Sequence, residues 1–173
     1  EEALMFNGDV LLVGDSAGGN LATATVQHSI KTGWAVPTAL MLLSPWLDLA
    51  PNSQSNDGDQ HELSWFDRED MLTYTKHYLG DEDPLRAEAS PLRGSWAGFP
   101  PTYLEASVDE YLWPDARSAY EELKAASCFA ELRTEEKALH GWQLFPDFIP
   151  EAQRSIQAMA AFIEKVDRSG SDS

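Results

Sequence analysis

Cysteine is almost missing from this sequence: Cys128 stands alone among 173 residues. One thiol cannot close an internal disulfide, so a reducing compartment, the cytoplasm, is favoured. Long apolar runs are missing too. None reaches 18 residues, so no spanning helix is expected. The opening Glu1-Glu2-Ala3-Leu4 lacks the basic-then-apolar pattern of a secretory signal. Basic side chains are few, 12 against 29 acidic ones, which leaves a net charge of −17. That field repels phosphate backbones, so nucleic acid is not an expected partner, and solubility is the plainer meaning of the charge. No His/Cys/Asp cluster has metal-ligand spacing and no dinucleotide fingerprint occurs, so neither metal nor cofactor is implied. There is no internal repeat, and nothing here sets an oligomeric state.

What is present is core material. Hydrophobic residues make up 43%, with six Trp, seven Phe and five Tyr, enough for one ordinary domain. Val10 to Val13 is a continuous apolar run, as expected of a strand buried on both faces. Asn20 to Lys31 is helix-like, with Ala22, Val26 and Ile30 at four-residue spacing and Gly33 as the stop. Ala39 to Leu43 is a second strand, ended by Ser44-Pro45. Strand, helix, strand predicts a parallel sheet.

Pro51 to Gln60 reads as a loop. Asp67 caps an expected helix to Leu79, with Met71, Tyr74 and Tyr78 at helical spacing on one face. After an irregular, proline-rich stretch come a third strand, Thr102 to Ala106, and a helix from Pro114 to about Ala126, with Ala116, Tyr120 and Leu123 inward. A fourth strand falls within Phe129 to Leu139. Pro150 opens a last helix striped by Ala152, Ile156, Met159, Ile163 and Val166, and Ser169 to Ser173 is expected as a tail. The order is that of an α/β fold.

Reacting groups of open α/β sheets gather beyond the carboxyl ends of strands. Ser16, Asp109 and His140 follow the first, third and fourth strands. A serine hydroxyl needs an imidazole to take its proton, and the imidazole needs a carboxylate to fix its tautomer. Around Ser16, Gly14-Asp15-Ser16-Ala17-Gly18 has the Gly-x-Ser-x-Gly form. By chance it arises in roughly one chain in twenty of this length, so its placement between strand and helix carries more weight than the pattern. Side chains at Gly14 and Gly18 are expected to collide with neighbouring backbone in so sharp a turn. The following helix N-terminus favours a developing oxyanion, and the Ala17 amide is the expected oxyanion-hole donor. A phosphate cradle is not supported, since no Lys-Ser/Thr pair follows.

The acid stays open. Asp109 and Glu110 are adjacent, so a one-residue shift of the strand end exchanges them, and Asp48 follows the second strand; Asp109 is preferred. Asp115 reads as a helix-start residue. Of the other histidines, His28 and His77 fall in helices and His61 in a loop. Cys128, Trp142 and Phe145 read as packing.

Taken in order, GDSAGGN, SPWLDL, GFPPTYLEASVDEYLWPDA and HGWQLF resemble the hormone-sensitive-lipase-like family of α/β-hydrolase carboxylesterases, over nearly the whole chain. The resemblance implies an α/β-hydrolase fold, a mostly parallel sheet flanked by helices. It implies ester hydrolysis of a small-molecule substrate through an acyl-enzyme, with Ser16 as nucleophile, His140 as base and Asp109 as acid. It also implies a cap-like insertion over residues 52–92, in which Trp65, Phe66, Met71 and Tyr74 supply an apolar wall. The family carries a His-Gly-Gly-Gly-type oxyanion segment upstream of the nucleophile, and no counterpart stands here. The chain is therefore expected to be the C-terminal portion of a longer esterase, weakly active alone. The contrasting expectation is a non-catalytic small-molecule receptor, as in the plant gibberellin receptors, which resemble this family but lack the base.

Overall fold

The computed structural model describes residues 9–50 and 65–171. Four strands, β1 (Leu11–Asp15), β2 (Ala39–Leu43), β3 (Thr102–Ser107) and β4 (Ala130–Glu135), pair in parallel in their chain order. Between them lie α1 (Ala17–Thr32), α2 (Arg68–Leu79) and α3 (Trp113–Ala125), and α4 (Pro150–Ser171) ends the described chain. Every described strand and helix expected from the sequence is present. The last helix runs through Ser169 to Ser171, where a tail was expected. Of the expected cap-like insertion, residues 52–64 lie outside the described residues, as do the whole Pro51–Gln60 loop and His61.

Parallel pairing buries a sheet on both faces, and two clusters divide the work. On one face Ala22 and Val26 of α1 and Ala119 and Leu123 of α3 pack on Leu40, Leu42 and Leu104. On the other, Phe162 and Val166 of α4 pack on Ala39, Met41, Leu43 and Tyr103. β2 is buried at all five positions because helices cover both its sides. On β1, Leu11 and Val13 are 41% and 53% exposed. Its apolar run is as expected, but among the described residues it pairs only with β2 and stands at a sheet edge.

Helix ends follow their local chemistry. Gly33 closes α1 in the left-handed conformation, φ 74°. The Asp67 carboxylate accepts from the amides of Glu69 and Asp70, and Asp70 returns a bond to the Asp67 amide, a complete capping box. The buried stripe of α2 is Met71, Thr75 and Leu79. Met71, Tyr74 and Tyr78 share a face as the spacing implied, and that face lines a cleft.

Several carboxylates sit inside the fold. Glu105 of β3 is fully buried, paired with Arg133 across the β3–β4 register and accepting from Ser155 Oγ at 2.9 Å. Burial pushes its carboxyl up, and Ser155 and Arg133 pull against that without cancelling it. A folded-state value above the unfolded one gives stability that is complete below the unfolded pKa and lost as pH rises through the folded value. Urea midpoints are therefore expected to fall as pH climbs from about 4.5, and Glu105→Gln should flatten that fall. An unchanged slope in the variant would refute the assignment.

Candidate active site

The candidate groups stand at the carboxyl ends of three strands. Ser16 sits between β1 and α1 with φ 51° and ψ −122°, a region that L-residues rarely occupy. The surroundings hold it there: its amide donates to Leu43 O at 2.9 Å, and its carbonyl accepts from Trp46 N and Gly19 N, both at 3.0 Å. The turn is thus tied to β2 as well as to its own helix. Ala17 opens α1 and lines the same cleft as Ser16, and first-turn amides have no acceptor within their helix.

The glycine expectation needs correcting. A Cβ on Gly14 would lie 2.3 Å from Gly18 O, which is backbone. One on Gly18 meets nothing nearer than Asp15 Oδ1 at 3.7 Å. The second crowded position is Gly19, whose Cβ would fall 2.7 Å from Pro45 Cβ. The motif glycine at 18 is sterically free, and its neighbour is not.

The carboxylate that meets His140 belongs to Glu110. His140 Nδ1 lies 2.6 Å from Glu110 Oε2, and since an ionised carboxylate only accepts, Nδ1 carries the proton. The other oxygen, Oε1, accepts from Ser44 Oγ at 2.7 Å and from the Ser107 amide at 2.9 Å. Glu110 is fully buried, so each of these bonds replaces lost water. Asp109, preferred from the sequence, is exposed and accepts from the Lys137 amide at 2.8 Å. The reason is length: β3 runs one residue past its expected end, to Ser107, and the turn beyond it points the second carboxylate inward. Asp48 is engaged elsewhere, in a two-point bond with Arg93 at 3.0 and 2.9 Å. Asp115 lies in the first turn of α3 as expected, and it also accepts from the amides of Leu47 and Asp48, at 2.7 and 3.0 Å.

Ser44 and Asn20 were not singled out from the sequence. Ser44 is fully buried and has φ 45°, a second strained serine at a strand end. The available signal was its place between an apolar strand and Pro45, where a polar residue needs a partner. Asn20, the last letter of GDSAGGN, donates to Trp46 O at 3.1 Å and Ala89 O at 2.9 Å, pinning the serine helix to the loops around it.

Beside Ser16 opens a cleft of about 410 Å³, walled by Leu21, Trp46, Leu49, Phe66, Met71, Tyr74 and Tyr78. Phe66 also sets its edge against His140, with ring centroids 4.9 Å apart, so one side chain borders both groups. Trp65, expected in the same wall, instead borders a smaller apolar pocket with His140, Phe145 and Phe148. A larger open groove of about 750 Å³ runs along α1 past His28 and Trp34 and includes neither Ser16 nor His140. Gly141, at φ 72°, makes the turn after His140 and leads to a buried Trp142. Phe145 is half exposed, where packing was expected, and Cys128 is half-buried against the core, its thiol 3.4 Å from Trp96 O. Among the described residues no group of three His, Cys, Asp or Glu side chains could hold a metal, and no helix is long and apolar enough to cross a membrane.

The chain as a whole is similar to known proteins. An acetyl-hydrolase of Streptomyces hygroscopicus is 31% identical over 156 residues, covering 90% of this chain and 52% of the relative. An esterase of Acinetobacter venetianus is 29% identical over 171 residues, covering 96% and 56%. A solved esterase from the bacterial hormone-sensitive lipase family superposes with a TM-score of 0.81 at 31% identity, over 91% of this chain and 52% of that one. The chain thus spans about half the length of these relatives. Residues 2–144 match the family model described as the alpha/beta hydrolase fold. With that match over most of its length, and with the parallel sheet that the fold requires, the chain belongs to the α/β-hydrolase family and is similar within it to the hormone-sensitive-lipase-type esterases.

Proposed function

We propose that this chain supplies the nucleophile, base and acid of a serine carboxylesterase: Ser16, His140 and Glu110. The observation that carries the reading is the 2.6 Å contact of His140 Nδ1 with a buried Glu110, itself fixed by Ser44 and Ser107. With Nδ1 so engaged, Nε2 is the nitrogen left to act as a base. In the proposed reaction Ser16 Oγ attacks the ester carbonyl while Nε2 takes its proton. The oxyanion develops toward the Ala17 amide and the positive end of α1. Collapse returns the proton to the departing alcohol and leaves an acyl-enzyme. Water activated by the same imidazole then releases the acid.

The Ser16 cleft, apolar and about 410 Å³, suits a small to medium acyl or alkyl arm, with Phe66, Met71, Tyr74 and Tyr78 as a cap-like wall. The names of similar proteins, acetyl-hydrolase and esterase, agree with that class. A fluorophosphonate probe should label the chain at Ser16, with no label on Ser16→Ala, as read by mass spectrometry of the tryptic peptide. Labelling elsewhere, or none, would favour a non-catalytic small-molecule-binding member of the fold.

A further inference from the structure

We infer that Ser155 and Glu105, acting through the indole N–H of Trp142, are positioning residues that hold the His140 loop against Glu110; the inference rests on the catalytic reading above. The Ser155 hydroxyl has one proton and two lone pairs. Two donors reach its oxygen, Trp142 Nε1 and Arg133 Nη1, each at 3.2 Å. Its own proton has two acceptors within reach, Glu105 Oε1 at 2.9 Å and Glu151 O at 3.0 Å. With both lone pairs taken, the proton goes to the carboxylate, where a charge-assisted bond is the stronger one.

Four elements therefore meet at one buried oxygen, β4 through Arg133 and three more. Glu105 and Ser155 are fully buried and Trp142 is 1% exposed. Glu105 belongs to β3, Ser155 to α4, and Trp142 to the short turn that follows His140-Gly141. β3 is also the strand whose last residue, Ser107, gives its amide to Glu110 Oε1. One rigid strand thus carries the anchor of the acid at its end and the anchor of the base loop two residues earlier. The indole ring itself is packed with Ala138 and Ala152, which fixes its depth, and the N–H fixes its rotation. A polar chain inside a core costs stability that an apolar core would not, and here its far end is the loop bearing His140.

The test uses the full chain with Trp142→Phe, Ser155→Ala and, as control, Phe162→Leu, which loosens the same helix on the same sheet face without touching the chain of bonds. The first readout is the low-field proton resonance of the His140 Nδ1–H donated to Glu110. It should broaden or vanish in Trp142→Phe and Ser155→Ala and persist in Phe162→Leu at a similar loss of stability. The second is the rate of Ser16 labelling by the fluorophosphonate, expected to fall about tenfold in the first two variants, less than the ~10²-fold that a 1 Å misplacement can cost. Retention of both signals in Trp142→Phe and Ser155→Ala, or their equal loss in the control, overturns the inference. A parent chain with the resonance but no labelling sinks the catalytic reading alone; a parent without the resonance sinks both.

Discussion

Glu110→Gln should slow fluorophosphonate labelling of Ser16 by about 10³–10⁴, the scale set when a triad carboxylate becomes an amide. Asp109→Asn should leave the rate within a few-fold. The difference follows from what each side chain touches. Glutamine keeps the size of Glu110 and its bonds to Ser44 Oγ and the Ser107 amide, but it offers His140 Nδ1 no negative charge. The imidazole is then free to move its proton to the nitrogen that must accept from Ser16, and the imidazolium loses its counter-charge. Asp109 meets a backbone amide at the surface, where substitutions change little. Labelling rates for the two variants, each corrected for its folded fraction, decide the matter. A large loss confined to Asp109→Asn would reverse the assignment.

Gly14→Ala should cost the fold about 3 kcal/mol or more, because the added methyl meets backbone that cannot turn aside. For a domain of this size that is a drop in Tm of roughly 6–12 °C. Gly19→Ala should cost about 1–3 kcal/mol, since Pro45 is rigid but lies on a loop. Gly18→Ala has open space and a helical backbone, so it should be neutral or stabilising by up to ~1 kcal/mol. Thermal denaturation of the three variants gives the order directly. If Gly18→Ala proved as harmful as Gly14→Ala, the helix would have to enter the turn along another path.

Much of this was legible in the residues. Apolar runs bounded by glycine, proline and aspartate placed the strands, because a strand buried on both faces tolerates little else. Gly-x-Ser-x-Gly and the His140-Gly141 pair pointed to two of the three proposed site groups, and Gly14 and Gly141 there answer a backbone demand visible one residue at a time. On α2 the spacing put Met71, Tyr74 and Tyr78 on one face, but that Tyr74 and Tyr78 stay half exposed along a cleft depends on what packs beside the helix.

By itself the sequence determined the strand and helix order, the parallel sheet, the serine turn and the histidine, all of which follow from local periodicity and local steric need. Only the tertiary structure shows which of Asp109 and Glu110 meets His140, since adjacent carboxylates differ only in which way a turn after β3 points them. It also decided the parts of Ser44, Asn20 and Ser155, whose partners lie 66, 69 and 50 residues away along the chain. A hydrogen bond across such distances leaves no period in the sequence. It exists only once the sheet brings the strand ends together.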